Sequence, residues 1–309
     1  MKKNNLLSSA LLLTAAIIWG LAFVAQEETA DTVPPFTVNA VRSLIASAAL
    51  LPIAAVIRKK QGKRLLESNP ADRKKLIKAA VICGVMLCIS VNLQQVGITM
   101  YPNGAPASAH SGFLTALYII FVPLFGLFLG KRPGAFVWIA VCLAVVGLYF
   151  LSLFNGVRGL YLGDIVVLCC GISFAVQILC VDRYIDEVDG VKLSMLQFLV
   201  TGILSAVLML IFERPDPTAV LAAWKSILFL ALMSSAVGYT LQIVGQKYSS
   251  SPTLASILMS MESVFAVIGG MIFLNVVPKA NEWVGCALMF AAIIIAQLPS
   301  PKKKTLRAE

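Results

Sequence analysis

Charged residues are unusually scarce in this chain of 309 residues. Asp, Glu, Lys and Arg make up 13% of it, whereas a typical soluble domain carries about 25% charged residues. Hydrophobic residues make up 59%, and the mean hydropathy is +0.88. This scarcity excludes an ordinary water-soluble surface. The composition instead indicates a protein that crosses the bilayer several times, because lipid requires no polar exterior.

Metal ligands and catalytic motifs are also missing from the sequence. There is one histidine, no H-E-x-x-H motif and no pair of acidic residues within an apolar segment. Seven cysteines fall inside apolar segments without the spacing of a metal site: Cys83, Cys88, Cys142, Cys169, Cys170, Cys180 and Cys286. We therefore expect no metal and no cofactor, and an intramembrane enzyme is the weakest interpretation.

A receptor or assembly protein that transports nothing is a second alternative. Such a protein would be expected to carry a sizeable soluble domain, and the longest loop here has about 20 residues.

Ten apolar segments of the chain are long enough to span about 30 Å of hydrocarbon. They lie near 8–26, 35–57, 77–100, 105–129, 134–153, 161–181, 192–212, 222–246, 252–275 and 281–298. These segments predict an all-α membrane protein with ten transmembrane helices.

The basic residues are distributed asymmetrically between the loops. If the N-terminus is cytoplasmic, the inner segments hold 20 of the 25 Lys and Arg and the outer segments hold four. This bias predicts a multi-pass protein of the cytoplasmic membrane with both termini inside. It also explains the net charge of +10 without a nucleic-acid partner. The basic stretch 58–78 is interpreted as a topology anchor, with binding of anionic lipid as the alternative.

The two halves of the chain repeat the same pattern. "LQQVG" at 93–97 matches "LQIVG" at 241–245, at an offset of 148. Trp138 matches Trp283 at an offset of 145, and weaker matches keep the same order. We therefore predict a first repeat over 1–157 and a second over 158–309. Because each repeat holds five helices, an odd number, the second would insert upside down, as in many secondary transporters.

Hydroxyl groups form a matched stripe in the fourth and ninth segments. The spacing of three and four residues places each stripe on one helical face. The stripes consist of Ser108, Ser111, Thr115 and Tyr118, and of Thr253, Ser256, Ser260 and Ser263. Two interpretations stay open, because small hydroxyl residues line wet cavities and also allow helices to pack closely.

Aromatic and amide side chains share faces on three other segments. Such combinations suit a pocket for a small polar or aromatic metabolite. The two glutamines of the repeated pentapeptide, Gln94 and Gln242, are the matched candidates. The predicted substrate-binding residues are Trp19, Phe23, Gln94, Gln95, Ser111, Thr115, Tyr118, Tyr239, Gln242 and Ser260.

Glu262, near the middle of the ninth segment, is the strongest candidate for coupling. A carboxyl group there could couple transport to protons or capture a cationic substrate. The alternative is a protonated or hydrogen-bonded structural carboxyl. His110 is kept as a further coupling candidate near the outer end of the fourth segment.

Arg42 lies about 10 Å into the second segment, at 1.5 Å per helical residue. We interpret it as a gating or structural residue that reaches the outer surface or pairs with an acidic residue. Glu27, Glu28 and Asp31 are the available partners. Direct contact with an anionic substrate is the alternative.

Five stretches resemble the EamA-type transporters of the drug/metabolite transporter superfamily. They are "LLTAAIIWGLAFVAQ", "NAVRSLIASAALLP", "LQQVGI", "FLTALYIIFVPLFGLFLG" and "LMSMESVFAVIGG". The resemblance covers nearly the whole chain. It implies transport of amino acids, purines, other small metabolites or drugs, often coupled to an ion gradient. The resemblance implies that the residues typical of the family are, in this chain, Trp19, Gly20, Arg42, Pro123 and Glu262.

These observations predict a secondary transporter that moves a small metabolite by alternating access. Export is the expected direction, and coupling to protons is the hypothesis attached to Glu262. The expected partners are a small-molecule substrate, the lipid bilayer and a coupling ion. The functional unit is expected to be a monomer or a homodimer.

Overall fold

A computed structural model describes residues 4–62, 69–102, 107–131, 133–152, 161–273 and 279–298. Every regular element within these ranges is helical. The elements are α1 Asn5–Ala30, α2 Pro35–Lys60, α3 Pro70–Thr99, α4 Ala107–Ala116, α5 Tyr118–Phe128, α6 Ala135–Ser152, α7 Leu162–Tyr184, α8 Gly190–Phe212, α9 Pro217–Ala222, α10 Trp224–Phe229, π1 Leu230–Gly238, α11 Tyr239–Tyr248, α12 Pro252–Met259, α13 Glu262–Phe273 and α14 Ala280–Ala296. The prediction of an all-α protein is confirmed.

The described helices have the lengths and compositions of membrane spans. Seven helical stretches are long and apolar enough to cross a bilayer, and three shorter apolar helices accompany them. Large apolar side chains such as Ile53, Val56, Ile203 and Leu210 are exposed on the outside of the bundle. Many polar side chains are buried inside it. This distribution is that of a membrane protein, since lipid accepts apolar groups and excludes polar ones.

Local capping groups determine where several helices begin. Asn4 and Asn69 cap α1 and α3, each accepting a hydrogen bond from a backbone N–H of the first turn. Asp189 does the same for α8, and Ser251 for α12. These side chains satisfy N–H groups that have no partner within the helix.

The start of α2 is capped by a residue distant in sequence. Glu213, just beyond α8, accepts hydrogen bonds from the Phe36 and Thr37 backbone N–H groups at 2.7 and 2.8 Å. It also accepts one from the Thr37 hydroxyl at 2.7 Å. α2 packs along α8, as α3 packs along α7 and α6 along α14. One carboxylate therefore joins the ends of two helices that already lie side by side.

Two segments predicted as continuous helices change their winding near the centre. The 105–129 segment is divided into α4 and α5 at Leu117, whose N–H bonds to the Leu114 carbonyl. The 252–275 segment is divided into α12 and α13 at Ser260 and Met261, where the Met261 N–H bonds to the Leu258 carbonyl. Both turns use i→i+3 bonds, which tighten the helix locally and often mark functional positions.

The 222–246 segment differs from the prediction in another way. It consists of α10, π1 and α11, and the nine-residue π1 has i→i+5 bonding. Tyr239 then returns to i→i+4 bonding with the Ser235 carbonyl, so the Ser234 carbonyl is passed over. The Trp19 indole donates to that carbonyl at 3.2 Å. α1 thereby satisfies the backbone group that the π-helix leaves free.

Gly20 allows α1 to touch α13 backbone to backbone. A Cβ atom at this position would lie 2.7 Å from the Glu262 carbonyl oxygen and 2.8 Å from the Ala266 nitrogen. Backbone atoms of a packed helix cannot yield to such a contact. The lack of a side chain at Gly20 therefore allows α1, next to Trp19, to pack directly against the beginning of α13.

Candidate functional site

The described helices surround a small central cavity. Its walls come from both halves of the chain. The lining residues are Trp19, Phe23, Gln26, Arg42, Gln94, Thr115, Tyr118, Phe174, Ile178, Ser234, Tyr239, Gln242, Met259 and Glu262. This mixture of apolar and polar groups is typical of a small-molecule site.

Aromatic rings form much of one wall. The Trp19 and Tyr239 rings lie 4.8 Å apart and are tilted by 57°. Behind them, Phe198 contacts Tyr239 edge to face at 5.3 Å. Phe23 and Phe174 add two further rings to the lining. Because Trp19 is also held by its bond to Ser234, this wall is fixed by contacts from α1, α8, π1 and α11.

Arg42 lies inside the protein without an acidic partner among the described residues. It is 2% exposed, and its Nε and Nη1 atoms have no hydrogen-bond partner among the described residues. Glu28 is exposed and accepts instead from the Ser226 hydroxyl at 2.5 Å, and Asp31 is also exposed. The pairing with Glu27, Glu28 or Asp31 that the sequence suggested is not formed in the described structure. Arg42 lines the cavity instead.

Glu262 lies at the first position of α13 and is 4% exposed. Its Oε1 atom accepts a hydrogen bond from the Tyr118 hydroxyl at 3.2 Å. Tyr118 is the first residue of α5, so this bond joins the two helices that begin after the tightened turns. The carboxyl group therefore belongs to the cavity wall and is positioned by both irregular helices.

Arg42 and Glu262 share the cavity but form no ion pair with each other or with another described residue. The Tyr239 phenol lies within electrostatic range of both groups. All three side chains line the same cavity. The cavity wall therefore holds a guanidinium and a carboxyl group that do not pair with each other.

The matched glutamines both line the cavity and each bonds to one neighbour. Gln94 Nε2 donates to the Thr115 hydroxyl at 3.2 Å, and Gln242 Nε2 donates to Gln177 Oε1 at 3.1 Å. The Gln242 Oε1 and Gln177 Nε2 atoms are buried without a partner among the described residues. Of these two atoms, only Gln242 Oε1 belongs to a residue of the cavity lining.

Three predicted substrate-binding residues lie outside the cavity lining. Gln95 donates to the Gln26 carbonyl at 3.1 Å, and Ser260 donates to the Ile257 carbonyl of its own helix at 2.9 Å. Ser111 is fully buried and is not one of the lining residues. The His110 side chain is outside the part of the chain that is described. The other seven predicted binding residues, with Arg42 and Glu262, contribute to one cavity.

The hydroxyl stripes serve both of the purposes left open by the sequence. Thr115 and Tyr118 line the cavity. Ser256 instead bonds to the carbonyl of its own helix, and Ser263 donates across to the Gly112 carbonyl at 3.3 Å. The hydroxyl residues at the central end of the fourth segment therefore line the cavity, whereas most of those in the ninth segment serve helix packing.

Five lining residues were absent from the predicted binding set: Gln26, Phe174, Ile178, Ser234 and Met259. Gln26 shares a helical face with Trp19 and Phe23, a signal already present in the sequence. Ser234 lies in π1, where the side-chain directions expected from α-helical periodicity are wrong. The remaining three are ordinary apolar residues whose pattern does not distinguish cavity walls from core.

A second cavity, with about 690 Å³ of empty space, lies among the ends of α2, α3, α7 and α11. Arg58, from the basic stretch, and Lys247 line it together with four acidic residues: Asp72, Asp186, Glu187 and Asp189. Its charge is therefore mixed. Residues 63–68 of the basic stretch lie outside the described ranges, as do both charged terminal segments.

Metal binding receives no support from the described residues, which contain no group of three His, Cys, Asp or Glu side chains able to hold an ion. The seven cysteines are free. The lining of the central cavity offers hydrogen-bonding groups, ionisable side chains and aromatic rings.

Comparison with known proteins matches both halves of the chain. The model of the EamA-like transporter family matches residues 6–153 and 161–297 separately. An uncharacterized transporter from Archaeoglobus fulgidus is 27% identical over 297 residues, covering 92% of this chain and 83% of its own. The uncharacterized transporter YwfM from Bacillus subtilis is 26% identical over 314 residues, covering 99% and 98%.

A solved crystal structure has a similar fold. It superposes with a TM-score of 0.74 at 18% identity, covering 95% of this chain and 97% of its own. At this level of identity the similarity concerns the fold alone.

Proposed function

We propose that this chain, which belongs to the EamA-like transporter family, is a secondary transporter that moves a small metabolite across the cytoplasmic membrane by alternating access. The observation that carries the proposal is the central cavity, whose walls combine both halves of the chain with buried polar side chains. Buried polar groups at membrane depth are costly and mark substrate pathways. The named relatives are transporters, so we treat the chain as a transporter rather than an enzyme.

The proposed architecture is ten transmembrane helices in two inverted repeats, 1–157 and 158–309. Three observations support it. The family model matches each half separately. The tightened turns at Leu117 and Ser260 occur within two residues of equivalent positions at the offset of 145. Gln94 and Gln242, which are equivalent at the offset of 148, line one cavity. Interrupted helices at corresponding positions of two halves are typical of transporter binding sites.

The proposed orientation places both termini in the cytoplasm, and the proposed direction is export. The orientation rests on the 20-to-4 distribution of basic residues. In this orientation Arg42 lies in the outer half of α2 and Gln242 in the inner half of the 222–246 segment. The cavity then lies near the bilayer midplane, where inverted-repeat transporters bind their substrates.

Glu262 is the proposed coupling residue, with His110 as a further coupling candidate, and Arg42 is the proposed gating residue. Glu262 has one described hydrogen-bond donor, Tyr118. A carboxyl group that is so weakly held can exchange its proton when the cavity opens to water. The Tyr118 bond also links its state to the junction between α4 and α5. Proton release could therefore change the packing of both irregular helices.

Transport is tested with the purified full-length chain in proteoliposomes under an imposed pH gradient. Radiolabelled amino acids and nucleobases are screened for accumulation, with protein-free liposomes as the control. We expect at least one solute to move in a protein-dependent manner. If folded protein moves no solute under any gradient, the transporter proposal is wrong.

The coupling role is tested with Glu262→Gln, which keeps the size of the side chain and removes its ionisation. Gradient-driven accumulation should be abolished, while exchange of labelled for unlabelled solute should persist. Glu187→Gln is the matched control, because Glu187 is exposed and pairs with Arg183 outside the cavity. Undiminished accumulation by Glu262→Gln would remove this residue from the coupling mechanism.

A further inference from the structure

The π1 helix joins two helices that are attached to the rest of the protein very differently. α11 is fixed by four hydrogen bonds to α1, α7 and α8. They are Thr240 to Ser194 at 2.7 Å, Gln242 to Gln177 at 3.1 Å, Gln246 to the Ile178 carbonyl at 3.1 Å and Ser8 to the Gly245 carbonyl at 2.9 Å. Among the described residues, α10 has one side-chain bond to another helix, from Ser226 Oγ to Glu28 Oε2 at 2.5 Å. If π1 changes its winding, α10 is therefore the part that moves.

The Trp19 indole supports π1 at the end next to α11. Its Nε1 atom donates to the Ser234 carbonyl at 3.2 Å. A buried carbonyl without a donor is unfavourable, and π-helices are rare and mostly limited to a single turn. The nine-residue π1 therefore depends on a donor that comes from α1.

Gly238, the last residue of π1, provides the space for that indole. A Cβ atom at this position would lie 2.7 Å from Trp19 Nε1 and 3.3 Å from Trp19 Cδ1. The backbone of Gly238 has φ −56° and ψ −53°, which are helical values that any residue adopts. Glycine is therefore needed here for the position of Trp19 rather than for the conformation of the chain.

Ser235 shows why α-helical winding of π1 is a competing arrangement. Its hydroxyl is buried and has no hydrogen-bond partner in the described part of the chain. Within the α-helix α1, Thr14 donates to the carbonyl four residues earlier, that of Ala10, at 2.8 Å. An α-helical π1 would bring the Ala231 carbonyl into the same relation to Ser235. The π form thus leaves one buried donor unsatisfied, and the Trp19 bond offsets that loss.

A change of winding would be transmitted directly to α10. Converting one turn of π1 to α-helical bonding changes the register by one residue, which is about 100° of rotation and about 1.5 Å of translation. Because α11 is fixed, each residue of α10 would take the place of its N-terminal neighbour. Ile227 would then replace Ser226 opposite Glu28. An isoleucine side chain cannot donate a hydrogen bond to a carboxylate.

We propose that π1 is a register switch controlled by Trp19. When the indole leaves the Ser234 carbonyl, π1 rewinds to an α-helix and the bond between Ser226 and Glu28 breaks. Trp19 also lines the central cavity, so any displacement of its ring within the cavity acts on α10. The movement takes Ile227 out of its buried apolar cluster, at the end of the bundle that the proposed orientation places outside. The inference goes beyond the proposed transport function, because the switch operates within the folded chain without a solute.

The coupling is measured by thermal unfolding of the full-length protein in nanodiscs without a solute. Ser226→Ala removes the hydroxyl that bonds to Glu28 and should lower the unfolding midpoint by about 2 °C. In a Gly238→Ala background the same substitution should cause no further shift, because the added Cβ has already displaced Trp19. Residues 226 and 238 lie at opposite ends of the α10–π1 segment, so sites without such coupling would give additive shifts.

Gly126→Ala is the matched control, because a Cβ atom there would meet nothing closer than the Lys131 Cβ at 3.7 Å. In this background Ser226→Ala should keep its full effect. Trp19→Phe is a second route to the same result, since it keeps an aromatic ring and removes the donor. Trp283→Phe, at an exposed tryptophan of α14, is its control.

Two outcomes of these measurements would overturn the proposal. One is an additive effect of Ser226→Ala in the Trp19→Phe and Gly238→Ala backgrounds. The other is a Ser226→Ala protein as stable as the wild type, since the bond to Glu28 would then contribute nothing that the switch could release.

Crystal structures of Gly238→Ala and Trp19→Phe read the register directly. We expect α-helical bonding through residues 230–238 and Ile227 opposite Glu28. Retained π winding in Trp19→Phe, where no indole donor remains, would overturn the proposal. Neither experiment uses a solute, so a failed switch leaves the transport function standing, and failure of transport leaves these outcomes unchanged.

Discussion

Arg42 and Arg183 carry the same guanidinium group in opposite surroundings. Arg42 is 2% exposed and has two nitrogens without a described partner. The Arg183 side chain is 70% exposed and donates to Glu187 at 2.8 Å across one turn. An exposed pair of this kind contributes about 0–1 kcal/mol, whereas an unpaired buried charge is destabilising. The same group is therefore expected to lower the stability of the fold at Arg42 and to contribute little to it at Arg183.

The largest expected effect comes from removing the buried charge altogether. Arg42→Met should raise the stability of the ligand-free protein by about 1–4 kcal/mol, because an apolar side chain of similar length carries no desolvation penalty. The same variant should lose substrate binding. The midpoint of thermal unfolding in one detergent measures the first effect.

Arg183→Met is the paired control for that comparison and should change stability by about 0.5 kcal/mol or less. A lower midpoint for Arg42→Met than for the wild type would mean that the guanidinium has a stabilising partner within the folded protein. The contrast between the two arginines would then be lost.

An intermediate effect is expected at Glu213, a partly buried carboxylate at the edge of the bundle. Glu213→Ala removes three hydrogen bonds from the start of α2 and should cost about 1–2 kcal/mol. Glu213→Gln keeps an acceptor oxygen and should recover part of the loss. Thermal unfolding of both variants checks this order, and equal midpoints for Glu213→Ala and wild type would contradict the capping role.

The smallest effect is expected at Asp216, a carboxylate of the same kind in full contact with water. It accepts hydrogen bonds from the Thr218 hydroxyl and backbone N–H at 2.7 and 2.8 Å, which hold the pKa of Asp216 below its usual value. A lowered pKa stabilises the fold above the unfolded value of about 3.9 and stops doing so as pH falls through the folded value.

Asp216→Asn should therefore lower the unfolding midpoint slightly at neutral pH, and the difference from wild type should disappear in acid. Measurements at pH 7 and at progressively lower pH test the sign. A difference that grows as the solution becomes acidic would show that the ionised form is not the favoured one in the folded state.

Much of the fold follows from local patterns in the sequence. Apolar runs and the scarcity of charge predict the helices, because each must satisfy its backbone internally in lipid. Asn69 followed by Pro70, and Ser251 followed by Pro252, mark helix starts through local capping. The winding changes were not predicted. They depend on distant contacts such as the bond between Trp19 and the Ser234 carbonyl.

The candidate site was partly predictable because some of its residues follow local patterns in the sequence. Trp19 and Phe23 share a helical face, and the repeated pentapeptide identifies Gln94 and Gln242 as equivalent. These signals come from helical periodicity and duplication, which are properties of the chain. The division of hydroxyl groups between cavity and packing was not accessible, because Ser260 and Thr115 have similar local surroundings and differ in what lies opposite them.

The sequence by itself determined the helical membrane character, the family and the presence of rare polar groups within apolar segments. Each of these depends on composition or on neighbours within a few turns. Only the tertiary structure decided that Arg42 has no acidic partner in the described part of the chain, that Tyr118 bonds to Glu262, and that all three line one cavity. These contacts depend on which helices pack together. A bonding partner 144 residues away cannot be identified from helical periodicity.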